Sequence, residues 1–276
     1  MADTNTTTLV DKLTNIADGF RTSRSLTETL SLDEMATLAA VPIGGESKLP
    51  QVIDKTITEI TAEDLAGITK MGNFAFNGCT ALTSIVIPDT VTSLGNNVFT
   101  SCTSLRSIII PDSVLSMGSN MFQYCSALTS AVIGNGIQTL ESSAFNSCYN
   151  LTSVTIGSSV TNIKAKAFND CYNLTSVTIP DSVTSIDNGV FEDCRSLTSI
   201  TIPNRVTSIG HYALQIGKST NKGTITFLRT TPPTIQTTTF STSKLEKIIV
   251  PAGSGEAYRT ATNWANLADF IEEAAA

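Results

Sequence analysis

One histidine, His211, and one tryptophan, Trp264, stand among 276 residues. A single imidazole excludes a histidine-based metal cluster and a repeated His-based acid–base pair. Charged residues make up only 15% of the chain and the net charge is −7. A nucleic-acid partner needs a basic face to displace counterions, and this chain has none to offer. No run of 18 apolar residues occurs, so no helical insertion into a membrane is expected. Neither a G-x-S-x-G nucleophile elbow nor a phosphate- or dinucleotide-binding glycine pattern is present. The expected tally of catalytic residues, metal ligands and cofactors is therefore none. The start MADTNTTTLVDKLTN has no basic n-region and no apolar h-region, so no signal peptide is visible. The surface has to be neutral and rich in hydroxyls, because Ser, Thr and Asn fill most positions outside the apolar pattern.

What the chain does have is a period. Cysteines stand at 79, 102, 125, 148, 171 and 194, each 23 residues from the last, and they are all the cysteines there are. Phenylalanine keeps the same step from Phe76 to Phe191, and leucine from Leu82 to Leu197. A fixed period in this range marks stacked coils, not one wound core. The spacing fits no zinc pattern, and cysteines at one repeat position beside core Phe and Leu read as a buried column of free thiols.

The coil beginning at Leu174 shows how each unit folds. Leu174, Val177 and Ile179 alternate with polar or β-branched residues, the mark of a short strand with one buried face. Pro180 ends it, and Asp181-Ser182 turn. Val183 and Ile186 face inward on a second extended piece. Val190, Phe191 and Cys194 then have the spacing of one helical turn packed inward. Neighbouring strands lie about 4.8 Å apart, so like side chains stack into ladders. About eight coils are expected, six of them regular. The expected division is an N-terminal helical segment and linker over 1–47, the solenoid over 48–216, and degenerate final coils with a cap over 217–276.

Open ends of such a stack need caps. Residues 9–21 and 31–41 read as two short helices, the second with a Ser31/Glu34 capping box, and 41–50 as a linker. At the far end Trp264, Leu267, Ala268 and Ile271 follow helical spacing, with Trp264 as a lid on the last coil.

The unit A-F-x-x-C-x-x-L-T-S-[IV]-x-I-P-x-x-V-T-S-I-G, clearest in FNDCYNLTSVTIPDSVTSID and FEDCRSLTSITIPNRVTSIG, resembles the BspA-like leucine-rich repeats of bacterial and protozoan surface proteins. The resemblance covers about residues 57–271. It implies a leucine-rich-repeat solenoid, mainly β with some α, with a parallel sheet on one face and short or helical turns on the other. Gly134 and Gly157 depart from it by replacing the proline, and Glu141, Lys164 and Asp187 by replacing a glycine. A second stretch, KLTNIADGFRTSRSLTETLSLDEMATLAAV, is similar to an N-terminal segment of phage and prophage tail-associated proteins of Gram-positive bacteria. That implies a virion component released by lysis, attached to a larger assembly or a homo-oligomer through residues 1–47. The first resemblance alone implies a bacterial surface or secreted adhesin.

Contact candidates lie in the outward columns. Ser153, Thr155, Ser176, Thr178, Ser199 and Thr201 form S-x-T rows in successive coils. They read either as β-propensity on a pleated surface or as a hydroxylated sheet that binds a glycan or protein. Tyr149 and Tyr172 share one repeat position in adjacent coils, Arg195 follows in the next, and Tyr124 precedes Cys125. Tyr and Arg are enriched at binding hot spots, and the strip also reads as side-chain ladder packing on the rim. The resulting expectation is non-enzymatic recognition of a host surface glycan or protein, in a virion or at an extracellular surface. Against the third reading, a glycan-processing enzyme, the pair Glu192-Asp193 with Asp187 occurs in one coil only and reads as solvated turn charge.

Overall fold

The structure is a computed structural model that describes residues 55–275. The helices expected at 9–21 and 31–41 and the linker at 41–50 lie outside the described residues. Within them the chain is a parallel solenoid. Its main sheet stacks Ser107–Ile110, Ser130–Ile133, Ser153–Thr155 and Ser176–Val177. Ser107 pairs with Ser130 and Ser130 with Ser153, so each pass repeats the one before at the 23-residue step. A second, narrower face stacks two-residue strands such as Thr139–Leu140, Asn162–Ile163, Ser185–Ile186 and Ser208–Ile209, again in parallel. Ten successive passes, from Glu59–Ile60 to Ile271–Glu273, give nine turns. That is one more than the repeat pattern suggests.

The third side holds the main difference from the sequence expectation. The segment around each Phe is a run of turns instead of a helical turn. Left-handed residues stand two before and two after each Phe: Asn97 and Ser101 flank Phe99 with φ of 57° and 60°, and Lys166 and Asp170 flank Phe168 with φ of 59° for both. In this segment every second N–H points along the stack. Asn97, Phe99 and Ser101 donate to the carbonyls of Ser119, Met121 and Gln123 in the next coil. The strands donate the other way, as Gly134 does to Ile110 of the preceding coil. All three sides are thus hydrogen-bonded along the stack, which satisfies backbone groups that a tight coil cannot satisfy within itself. Gly134 also explains its departure from proline. It uses the N–H that proline lacks, and a Cβ there would lie 2.7 Å from the Ile110 carbonyl oxygen.

The interior is a set of ladders. Phe76, Phe99, Phe122, Phe145, Phe168 and Phe191 stack with ring centroids 5.1 to 5.5 Å apart. The six cysteines are buried and form no disulfide. Five of them, Cys102 to Cys194, donate to the main chain of a preceding coil: Cys148 Sγ reaches the Phe122 carbonyl at 3.1 Å and Cys171 Sγ the Phe145 carbonyl at 3.2 Å. Burial pushes the Cys79 thiol up to about 11 and that of Cys125 to about 12. Neither can supply a thiolate nucleophile near neutral pH.

The final turns abandon the period. A hairpin pairs Gly217–Lys218 with the start of Asn221–Phe227. The sheet then continues through Leu245–Val250 to Ile271–Glu273, all in parallel. The helical spacing of residues 264–271 is accordingly corrected. A six-residue α-helix spans Gly255–Thr260, a 3-10 helix spans Ala265–Phe270, and Ile271 opens a strand on Leu245–Val250. Exposed edge backbone at Leu245–Val250 recruits the chain into one more pass. Trp264 is fully buried, edge-on to Phe227 and Tyr258, with its indole N–H donating to the Pro233 carbonyl at 3.1 Å.

Candidate ligand-contact surface

The strip of Tyr149, Tyr172 and Arg195 is assembled by the same 23-residue step that builds the core. Each residue immediately follows a buried cysteine, at the corner where the turn segment enters the main sheet. The side chain therefore starts from a fixed point and projects outward. The Tyr149 and Tyr172 ring centroids are 5.1 Å apart with planes inclined by 27°. The Arg195 guanidinium carbon lies 4.2 Å over the Tyr172 ring, on the side of the following coil. Such a cation–π contact contributes about 0.5–1 kcal/mol at an exposed site. Partial burial and the neighbouring Asp170 carboxylate hold the Tyr172 phenol above its usual range.

Tyr124 does not join this strip. It belongs to the column of Ser147, Asp170 and Asp193, which precedes each cysteine. It is left-handed with φ 63° and 47% exposed, and among the described residues no ring packs on it. Its column ends in charge. Asp193 sits 2.7 Å from Lys244 and 3.6 Å from Arg195. Partial burial would raise the Asp193 carboxyl, but Lys244 and then Arg195 outweigh it and hold that group below the usual carboxylate range. Glu192 moves the other way, raised by partial burial and by the charge of Asp193.

Two groups escaped sequence reasoning here. One is an amide ladder beneath the surface: Gln123 donates to Asn146 at 3.1 Å, Asn146 to Asn169 at 2.7 Å, and Asn169 to the Glu192 carboxylate at 3.4 Å. These residues stand two before each cysteine, so the period held the signal. The other is Lys244, brought to Asp193 from 51 residues away by the aperiodic final turns.

The hydroxyl rows lie downstream on the main sheet. Ser153, Thr155, Ser176, Thr178, Ser199 and Thr201 are all exposed, four to six residues after the strip position of their own coil. One further row completes them: Thr224 and Thr226 register with Ser199 and Thr201. The step there is 25 residues, so strict periodic reading missed it. The signal was the alternation in Gly-Thr-Ile-Thr-Phe, residues 223–227. In the coils before Ser153 the Thr column becomes aliphatic, with Val86, Ile109 and Val132 exposed. The threonines flanking the rows serve the stack itself: Thr152 and Thr175 donate their hydroxyls to the carbonyls of Thr129 and Thr152. His211 binds Thr238 at 2.7 Å in an exposed turn, and no cluster of metal-ligating side chains occurs among the described residues.

A family model described as BspA type leucine rich repeat region matches residues 54–174 and 161–261, in six copies. No curated protein matches the chain. Among solved structures, a leucine-rich repeat protein from Eubacterium ventriosum ATCC 27560 is 30% identical with a TM-score of 0.54, covering 57% of this chain and 42% of that one. A leucine-rich repeat protein from Bacteroides ovatus ATCC 8483 is 22% identical with a TM-score of 0.55, covering 72% of this chain and 57% of that one. The chain thus spans less than two thirds of the length of either.

Proposed function

The chain belongs to the BspA type leucine-rich repeat family, and we propose that it is a non-enzymatic recognition module that binds a host surface glycan or protein. Its place is on a phage or prophage tail-associated protein, attached through residues 1–47. The observation that carries the recognition role is the surface stack of Tyr149, Tyr172 and Arg195, exposed at both ends and half-buried at Tyr172. Two flat rings and a planar cation are held in fixed order on a rigid stack, so little conformational entropy is lost when a ligand covers them. The hydroxyl rows from Ser153 to Thr226 lie alongside and supply neutral donors and acceptors. The acids near the strip are engaged structurally: Asp193 by Lys244 and Arg195, Glu192 by Asn169. That use supports binding over glycan processing. The tail-associated context rests on the N-terminal segment described above.

The test compares wild type with the double variant Tyr149→Ala/Tyr172→Ala on intact Gram-positive cells. Cell-bound protein should fall sharply for the variant at unchanged melting temperature. Equal binding by both proteins would remove the strip from the contact surface. The family match also favours a second reading, a bacterial surface or secreted adhesin. Fractionation separates the two: the protein should co-purify with virions in the first case and with the cell envelope in the second.

A further inference from the structure

The aromatic strip ends abruptly. Arg195 covers the outer face of Tyr172, and Tyr172 covers one face of Tyr149. The other face of Tyr149 looks toward the preceding coil, where the strip position is Ser126, and the coil before that has Thr103. Among the described residues no ring other than Tyr172 packs on Tyr149, which is 37% exposed. The ladder therefore has a missing rung. Its floor is Ser126, one wall is the Tyr149 ring, and Tyr124 stands exposed in the same coil as Ser126. The coil-to-coil step sets its thickness at about 4.8 Å, that of one ring.

The rim of this gap is polar. Ser126 and Thr103 supply hydroxyls, Tyr124 and Tyr149 supply phenols, and Asn150 is held in place by donating to the Ser126 carbonyl at 2.8 Å. The exposed aliphatic residues of these coils, Ile109 and Val132, stand six residues downstream of the strip position on the main sheet. An aromatic face carries negative charge density and attracts polarised C–H groups. The occupant must then be a flat, ring-thick group with an apolar face and a hydroxylated edge. We propose that the free face of Tyr149 over Ser126 is a subsite for a hexopyranose ring, so that a sugar completes the ladder Arg195–Tyr172–Tyr149. This rests on the recognition role of the strip and names the chemical class of its ligand.

The test uses saturation-transfer NMR with the methyl β-glycosides of glucose, galactose and N-acetylglucosamine, and N-acetyltyrosinamide as an aromatic control. Protons on one face of the pyranose should receive saturation for at least one glycoside. Binding should weaken by about tenfold or more in Tyr149→Ser, the scale of losing one stacking partner. Ser126→Tyr should block it equally while keeping the wild-type melting temperature, because the same position already holds tyrosine at 149 and 172. Tyr149→Ser serves as the second variant should Ser126→Tyr not fold. The proposal is overturned if no glycoside binds the wild type, if Ser126→Tyr binds as wild type does, or if N-acetyltyrosinamide alone binds. Loss of cell binding in Tyr149→Ala/Tyr172→Ala without glycoside binding would leave the recognition role standing and remove only the sugar.

Discussion

The regular coils and the closing turns bury aromatic rings by opposite means. Between Phe76 and Phe191 every ring repeats the last, with adjacent planes inclined by no more than 18°. In the closing turns Phe227, Phe240, Tyr258 and Trp264 meet at 53° to 84°. Their polar tips are tied to backbone, Tyr258 to the Arg229 carbonyl and Trp264 to that of Pro233. A repeated sequence in register can only present like against like, so translation fixes parallel faces. Where the period stops, rings of different kinds are free to take the edge-to-face geometry that their quadrupoles favour. The regular coils gain by repetition, and the end gains by a compact cluster that cannot be extended.

The regular coils should differ most from the closing turns in their response to pH, because every cysteine lies in the regular coils. Burial raises all six thiols. Folded pKa values above the unfolded one mean stability that is complete below about pH 8.5 and is lost as pH rises toward the folded values. Each thiol should cost up to about 1.4 kcal/mol per pH unit in that window. Urea midpoints measured from pH 7 to 10 should fall steeply for wild type, and a variant with all six cysteines replaced by alanine should lose the slope. The Tyr258 phenol of the closing turns, also raised by burial, adds its share only above about pH 10.

Next in size is Phe145→Ala, which removes a ring stacked on both faces. It should cost about 3–5 kcal/mol. Amide exchange should quicken first in the coils of Phe122 and Phe168, since each coil touches only its neighbours. Trp264→Phe should cost about 1–3 kcal/mol by orphaning the Pro233 carbonyl, with faster exchange along Ile271–Glu273 and little in the regular coils. The smallest effect belongs to the exposed pair of Lys164 and Asp187, 3.8 Å apart in adjacent coils. Asp187→Asn should change stability by less than about 1 kcal/mol, and less still in high salt.

The same contrast decides how much could be read from the sequence. Where residues recur at 23, the inward columns, the thiol column and the pairing of Tyr149 with Tyr172 follow from spacing alone, because a parallel stack converts sequence period into distance. The handedness of the turn segment does not follow. Phe74, Asn97, Lys166 and Tyr212 all adopt positive φ at one position, and that mixture carries no common left-handed signature. At the closing turns the step shifts to 25 and a hairpin intervenes, so Thr224, Thr226 and Lys244 reach their places through pairing that counting cannot reveal. Helical spacing at Trp264–Ile271 misled because the sheet edge on Leu245–Val250 offered Ile271 a ladder, and long-range pairing outcompeted local pattern.

The rungs lie one coil apart, and ring-to-ring NOEs read that spacing directly. The chain has only five tyrosines, so a sample protonated only on tyrosine rings leaves few signals to assign. A strong cross-peak between the Tyr149 and Tyr172 rings, abolished by Tyr172→Ala, with none between Tyr149 and Tyr258, is the expected result. Absence of the Tyr149–Tyr172 cross-peak in the folded protein would contradict the stacked register on which both the core and the contact strip depend.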